Sequence, residues 1–445
     1  MKESRVSEFI KNPRKALFIL AGPLVVGMLV QTLYNIVDTA FVGRLGADSI
    51  AALTFSFPLF FVLMALNSGI ATGMGSRIAR YLGEKNKAAA ENTALHGLII
   101  SIILAIIIFI PGIIFLRPIF SLFGATNTVL ELAISYMLFI LLGIFFMFPA
   151  FVINGIFSAQ GDTKTPMKVM ILSLILNIIL DPIFIYALKQ GVRGAAIATL
   201  IAFLFSLILY IYYLRKKSYL RLHLKNFKFS FPICKDICRV GAPASIMMLL
   251  MSVSYIFFNR FVAHFGTNFI AAYGVVIRLE SLAVMPMVAW STAMMTLAGM
   301  FFGAKRYDLL KSTTWYAVRI GLWFTSIIAL ILFLVPSLFF QIFTPDQYLI
   351  DIGTAFIRVM VFTLPLMAIG MPIARTLQGM GLGLPALVFN LVRLIIVAVP
   401  VAYIFIFILG FGFLSVPLAT IIGGIIGDSV AAVWYKLKIK KLNTS

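Results

Sequence analysis

Asp38 and Asp181 are acids set deep in apolar sequence, and each has oxygen-bearing companions one helical turn away. The first stretch reads Gln31-Thr32-Leu33-Tyr34-Asn35-Ile36-Val37-Asp38. On a helix Gln31, Tyr34 and Asp38 share a face, with Asn35 at its edge. The second reads Asn177-Ile178-Ile179-Leu180-Asp181-Pro182, again with an amide one turn before the acid. Pro182 has no backbone N–H and tends to bend a helix, freeing carbonyls near Asp181. Tyr136, Asn154 and Thr199 add hydroxyl and amide oxygens from other apolar runs. Ionisable groups inside such runs are costly, so each is a functional candidate. Two carboxylates with amide and hydroxyl oxygens suit a hard monovalent cation, Na+ included, or a shared proton. In low dielectric they cannot both ionise cheaply, so the pair should bind protons near physiological pH. A bland alternative has each acid merely pairing with Asn, Tyr or Thr to fix the packing. Two acids on separate helices, both with polar companions on the same face, argue against it.

The runs that carry these residues are long. Of 445 residues, 62% are hydrophobic and 11% charged, too few charges to cover the apolar surface of a soluble protein this size. Twelve spans of membrane-crossing length fit along the chain. They lie at 16–43, 49–80, 93–116, 128–158, 167–188, 191–214, 238–264, 268–301, 311–338, 348–376, 385–409 and 412–435. The basic then apolar N-terminus continues past signal-peptide length into Asp38, and reads as a retained first span.

The second half repeats the first. Pro23 recurs as Pro243, Gly46 as Gly266, Gly83 as Gly303, Gln160-Gly161 as Gln378-Gly379, Pro182 as Pro400, and Ala198-Thr199 as Ala419-Thr420. Where the first half has Asp38 and Asp181, the second has Phe258 and Val399. Six spans per copy relate the copies by an axis along the membrane normal. The expected fold is an all-α polytopic membrane protein: two pseudo-twofold-related six-helix bundles about a central cleft, open alternately to either side. Residues 1–214 form the N-lobe, 215–237 a basic linker, and 238–445 the C-lobe with a basic tail.

The net charge of +21 does not imply nucleic acid. With the N-terminus cytoplasmic, the lysines and arginines crowd onto inward-facing segments, and only Arg44, Arg117, Lys189 and Arg193 fall outside. This is the positive-inside pattern of a plasma-membrane protein with both termini cytoplasmic. Cys234 and Cys238 lack metal-ligating partners and read as free thiols. His96, His223 and His264 form no metal pair. No Walker loop, GxSxG or HExxH is present, so ATP-driven transport and hydrolysis lack their parts, and no cofactor is implied. The Gly379-Met380-Gly381-Leu382-Gly383 run opens no strand–helix unit.

Other candidates lie in the second half. Glu280 could be a second coupling or substrate site, or could pair with a nearby Arg and hold the bundle. Asp428, towards the cytoplasmic end of its span, reads as structural. Met285, Met287, Met294, Met295 and Met300 beside Trp290 read first as ordinary lipid-facing or core side chains, and give only weak support for a broad substrate range.

Together the motifs resemble the multidrug and toxic compound extrusion (MATE) transporters over nearly the whole chain. The resemblance rests on Gly22-Pro23, the stretch 31–38, Val42-Gly43-Arg44-Leu45-Gly46, Asn154-Gly155, Ala159-Gln160-Gly161-Asp162, the stretch 177–182 and Gly194-Ala195-Ala196-Ile197-Ala198-Thr199. Phe302-Gly303-Ala304-Lys305 and Leu377-Gln378-Gly379 add to it. The branch looks like the DNA-damage-inducible, prokaryotic one. The resemblance implies a cation site at Asp38, Asn177, Asp181 and Thr199, holding Na+ if sodium is the coupling ion. Gln31, Tyr34, Asn35, Tyr136 and Asn154 would line the substrate cavity. A sister branch couples through acids in spans seven and ten. Here those spans offer Ser252, Ser254, Tyr255, Asn259 and Arg358, which argues against sodium coupling in the second lobe.

The expected function is therefore an H+- or Na+-coupled antiporter, not an enzyme, that exports amphipathic, often cationic drugs by alternating access. A two-lobed monomer would enclose its own pathway within the bilayer and need no partner. The nearest rival is a flippase for lipid-linked saccharides, disfavoured by twelve spans and an acidic N-lobe.

Overall fold

The computed structural model describes residues 5–443, apart from the side chains of Asn35 and Asn443. It is helical nearly throughout, with no strand among the described residues. Eleven helices are long and apolar enough to cross a membrane, or twelve if one bent pair counts as a span. We number them α1 Pro13–Gly43, α2 Ala47–Gly83, α3 Lys87–Leu122, α4 Asn127–Ala159, α5 Lys164–Ala187 and α6 Gly191–Lys217. The second half supplies α7 Phe231–Ala263, α8 Thr267–Gly303, α9 Tyr307–Leu334, α10 Gln347–Met360 with Thr363–Gly379, α11 Gly383–Ile408 and α12 Ser415–Asn443.

The span expected at 348–376 is broken, its halves meeting at 46°. Pro365 explains the break: it cannot donate to the Val361 carbonyl, and its ring crowds that carbonyl. The repeated glycines also find their reason. Gly46 and Gly266, at the entrances of α2 and α8, have φ of 105° and 115°, where a side chain would be strained.

The chain divides into two compact units, 1–7 with 22–242, and 8–21 with 243–445. The expected linker, 215–237, therefore falls within the first unit. Helix α1 changes unit between Ala21 and Gly22, one residue before Pro23, and α7 between Ala242 and Pro243.

In the first unit α4 is the most enclosed of the spans and packs on α2, α3 and α6. Phe120, Met137, Ile144 and Phe148 fill that core. The start of α7 docks on α2 backbone to backbone. A Cβ on Gly73 would lie 2.1 Å from the Ile237 carbonyl oxygen, and one on Gly241 2.6 Å from that of Gly69. Asp236 pairs with Arg77 at 2.9 Å on the same seam. Gln160 Oε1 pins the connection after α6, accepting from Ser218 Oγ at 3.0 Å, the Tyr219 N–H at 2.8 Å and the Leu220 N–H at 3.3 Å.

The second unit is built around α8, α10 and α12, with Phe258, Phe261, Tyr273, Phe356 and Ile406 in its core and Val399 packed against it. Phe258 and Val399, which occupy the places of Asp38 and Asp181, thus both lie in the hydrocarbon core of this unit. Exposed side chains such as Leu33, Ile36, Ile114 and Trp323 would be a liability in water and are ordinary lipid contacts in a bilayer.

Candidate functional site

Four helices of the first unit bring the predicted polar residues together: α1 with Tyr34 and Asp38, α4 with Tyr136, α5 with Asn177 and Asp181, and α6 with Thr199. Asp181 is fully buried and Asn177 nearly so. The Asn177 Nδ2 donates to Asp181 Oδ1 at 3.2 Å. Asp181 Oδ2, equally enclosed, has no hydrogen-bond donor. The Asp38 carboxyl lies within hydrogen-bonding reach of Asp181. The Tyr34 hydroxyl faces both acids and Thr199, and Tyr136 lies within electrostatic reach of both acids. Thr199 Oγ1 donates to the Ala195 carbonyl at 3.0 Å, leaving its lone pairs for the cluster.

Burial sharpens the chemistry. Two touching carboxylates without counter-charge repel strongly out of water. The orphaned Asp181 Oδ2 is the atom at which a shared proton or a monovalent cation would make good the missing partner. Asp38, Asp181, Asn177 and Thr199 offer an all-oxygen donor set, which fits such a cation and not a thiophilic metal. Among the described residues no cluster of three or more His, Cys, Asp or Glu side chains is placed to hold a metal ion.

Several local features hold α1 against α5 and α6. The α-helical part of α5 ends at Pro182, and Ile183–Ala187 continues as a π-helical turn. Within the turn Tyr186 donates from its hydroxyl to the Phe41 carbonyl near the end of α1, at 2.6 Å. A Cβ on Gly194 would lie 2.5 Å from the Phe184 carbonyl oxygen, so α6 can approach the turn only as glycine. Val42, Ile185, Val192 and Ala195 then seal this end of the site, with Tyr136 and Tyr186 packed on them. Sequence reasoning missed Tyr186; its one signal was a tyrosine one turn past the Asp181-Pro182 step.

Not every candidate joins the cluster. Asn154 lies eighteen residues beyond Tyr136 on α4, about 27 Å along the helix. There it accepts from Ser158 Oγ at 3.3 Å and neighbours the Tyr210 hydroxyl. Gln31 is half-buried, on the α1 face that carries Tyr34. The Asn35 side chain is outside those described. Glu280 belongs to the second unit, where Arg393 is the charge acting on it.

The chain is similar to known proteins along its length. The MatE family model matches the chain twice, over residues 23–183 and 243–404, one match for each copy of the repeat. "Probable multidrug resistance protein YoeA" of Bacillus subtilis (strain 168) is 29% identical over 403 residues, 88% of this chain and 86% of its own length. "Multidrug export protein MepA" of Staphylococcus aureus (strain bovine RF122 / ET3-1) is 28% identical over 410 residues, 91% of this chain and 90% of its own. A crystal structure of a MATE in the bent conformation superposes with a TM-score of 0.95 at 32% identity, covering 100% of this chain and 99% of that one.

Proposed function

Because this chain belongs to the MatE family of multi-pass membrane transporters, we propose that it is a cation-coupled antiporter that exports amphipathic, often cationic compounds. The observation that carries the coupling is Asp181 Oδ2, buried and without a donor, beside Asp38. Entry of H+ or Na+ at this pair satisfies it and alters the packing of α1. Substrate bound near Tyr34, Gln31 and Tyr136 is then released outward by alternating access. Both termini face the cytoplasm and the chain works as a monomer in the plasma membrane. The export of drug-like compounds rests on the names of the relatives, and the basic loops support the orientation.

The test is efflux of a fluorescent organic cation from proteoliposomes under a proton or a sodium gradient imposed separately. Wild type should respond to one gradient, and Asp38→Asn and Asp181→Asn, purified as folded proteins, should not. Gradient-driven efflux that survives in both variants overturns the coupling role. Absence of any driven efflux in wild type overturns the antiporter.

A further inference from the structure

Asp428 on α12 reads from the sequence as structural. The residue is 3% exposed, and neither of its carboxyl oxygens has a hydrogen-bond donor. Its Oδ1 lies 2.0 Å from where a Cβ on Gly370 would sit, so the carboxyl is turned towards the bare backbone of α10. Arg393 on α11, 5% exposed, is left with an unpartnered Nε. It emerges beside Asp428: a Cβ on the adjoining Gly427 would be 2.6 Å from the Arg393 Cβ. Among the described residues no ion pair joins Arg393 to Asp428 or to Glu280. The same guanidinium nevertheless acts electrostatically on both acids.

Helix α12 packs against α9, α10 and α11. Their charged and titratable groups include Arg319, Asp351, Arg358, Arg375, Tyr403 and Tyr435, but the one that acts on Asp428 is Arg393. Glu280 in turn faces Arg393 and the Tyr273 hydroxyl. Arg393 sits in a π-helical stretch, Val392–Ala398, a backbone form concentrated at functional sites. By the Pro182/Pro400 register this stretch matches the part of α5 that carries Asn177.

We propose that Asp428 is a proton-binding site of the second unit, with Arg393 as the counter-charge it shares with Glu280. A buried carboxyl with no donor is stable as the neutral acid, and an ionised one needs the guanidinium. On this reading the arrangement seen here holds the proton on Asp428, and Arg393 balances Glu280 through space. When that proton passes to water, the carboxylate turns from Gly370 to Arg393; only an O–H bond breaks, and rebinding reverses the step. Proton uptake thus switches Arg393 between two acids on different helices. The inference does not depend on what Asp38 and Asp181 bind.

The test is a pH titration followed by infrared difference spectroscopy of the full-length protein in detergent, reading the C=O stretch of protonated buried carboxyls. The background is the Asp38→Asn/Asp181→Asn double variant, which silences the first unit's pair and keeps the two readings separable. A titrating carboxylic-acid band should persist in that background, disappear on adding Asp428→Asn, and survive Glu280→Gln. Absence of a band in the background overturns the proposal, as does a band untouched by Asp428→Asn. Should Asp428→Asn fail to fold, Gly370→Ala in the same background serves. Its methyl would crowd Oδ1 and must shift or weaken the band; an unchanged band overturns the proposal.

Discussion

Asp181→Asn should make the protein more stable while abolishing coupled export. Oδ1 of Asp181 already accepts from Asn177 at 3.2 Å, and the asparagine carbonyl oxygen can keep that bond. Oδ2, buried without a donor, becomes an NH2 group that donates to Asp38. A buried polar atom left without its partner costs about 1–3 kcal/mol, so the variant should gain about that much. Relief of repulsion between two carboxylates adds to the gain whenever both are ionised. The comparison variant is Asp181→Leu, similar in bulk, which strands the Asn177 amide and should forfeit the gain. The assay is the fraction of monodisperse protein surviving a heating series in detergent, with the same preparations reconstituted for efflux. The expected order of thermal midpoints is Asp181→Asn above wild type and above Asp181→Leu, with no gradient-driven efflux from either variant. A well-expressed Asp181→Asn that melts below wild type would refute the reasoning. It would show that the carboxylate is satisfied as it stands and serves the packing.

Three further outcomes follow from the packing of the first unit. Gly241→Val places a branched side chain where even a Cβ would be 2.6 Å from the Gly69 carbonyl oxygen; it should cost about 1–3 kcal/mol in the same heating series. Gly43→Ala, which meets nothing within 4 Å, should stay within about 0.5 kcal/mol, and equal losses in the two would discredit the seam. Gln160→Ala removes the acceptor of Ser218, Tyr219 and Leu220, so trypsin should cut faster at Arg221 and Lys225, and unchanged digestion would contradict this role. Tyr186→Phe deletes the bond to Phe41, worth about 1 kcal/mol. If the bond positions α1, the coupling cation should bind about fivefold more weakly with the maximal efflux rate preserved, whereas an unaltered cation dependence would free Tyr186 of that role.

The acids were legible in the sequence because charge inside apolar sequence is expensive and therefore conspicuous. Their companions Tyr34, Asn177 and Thr199 followed from helical spacing or from family resemblance, and the structure gathers all of them on one site. Gly46 and Gly266 were legible as a repeat, though the positive φ that requires glycine there was not. The break in α10 could have been read from Pro365, yet α2 and α4 carry Pro58 and Pro149 within unbroken helices, so proline alone did not decide. Asn154 and Asp428 show a different limit. Helices that are apolar all round give no sign of which face is enclosed, so a polar residue's partners stay hidden until neighbours are placed. Asn154 proved to be met by Ser158 and Tyr210, while Asp428, read as structural, proved to have no donor.

The division of α1 and α7 between the two units bears on how the chain is made. Residues 8–21 leave the ribosome long before their partners: the ring that Phe18 meets at 4.7 Å belongs to Trp290, and the ring beneath Arg14 to Tyr316. The first turns of α1 must therefore wait in the membrane until α8 and α9 have been synthesised. A chain severed in the connection between α6 and α7 yields two fragments, neither containing a whole unit. One would lack 231–242 and the other 8–21. Halves of this protein should accumulate only when expressed together, and an arrested chain would display the apolar face of α1 to the quality-control machinery of the membrane.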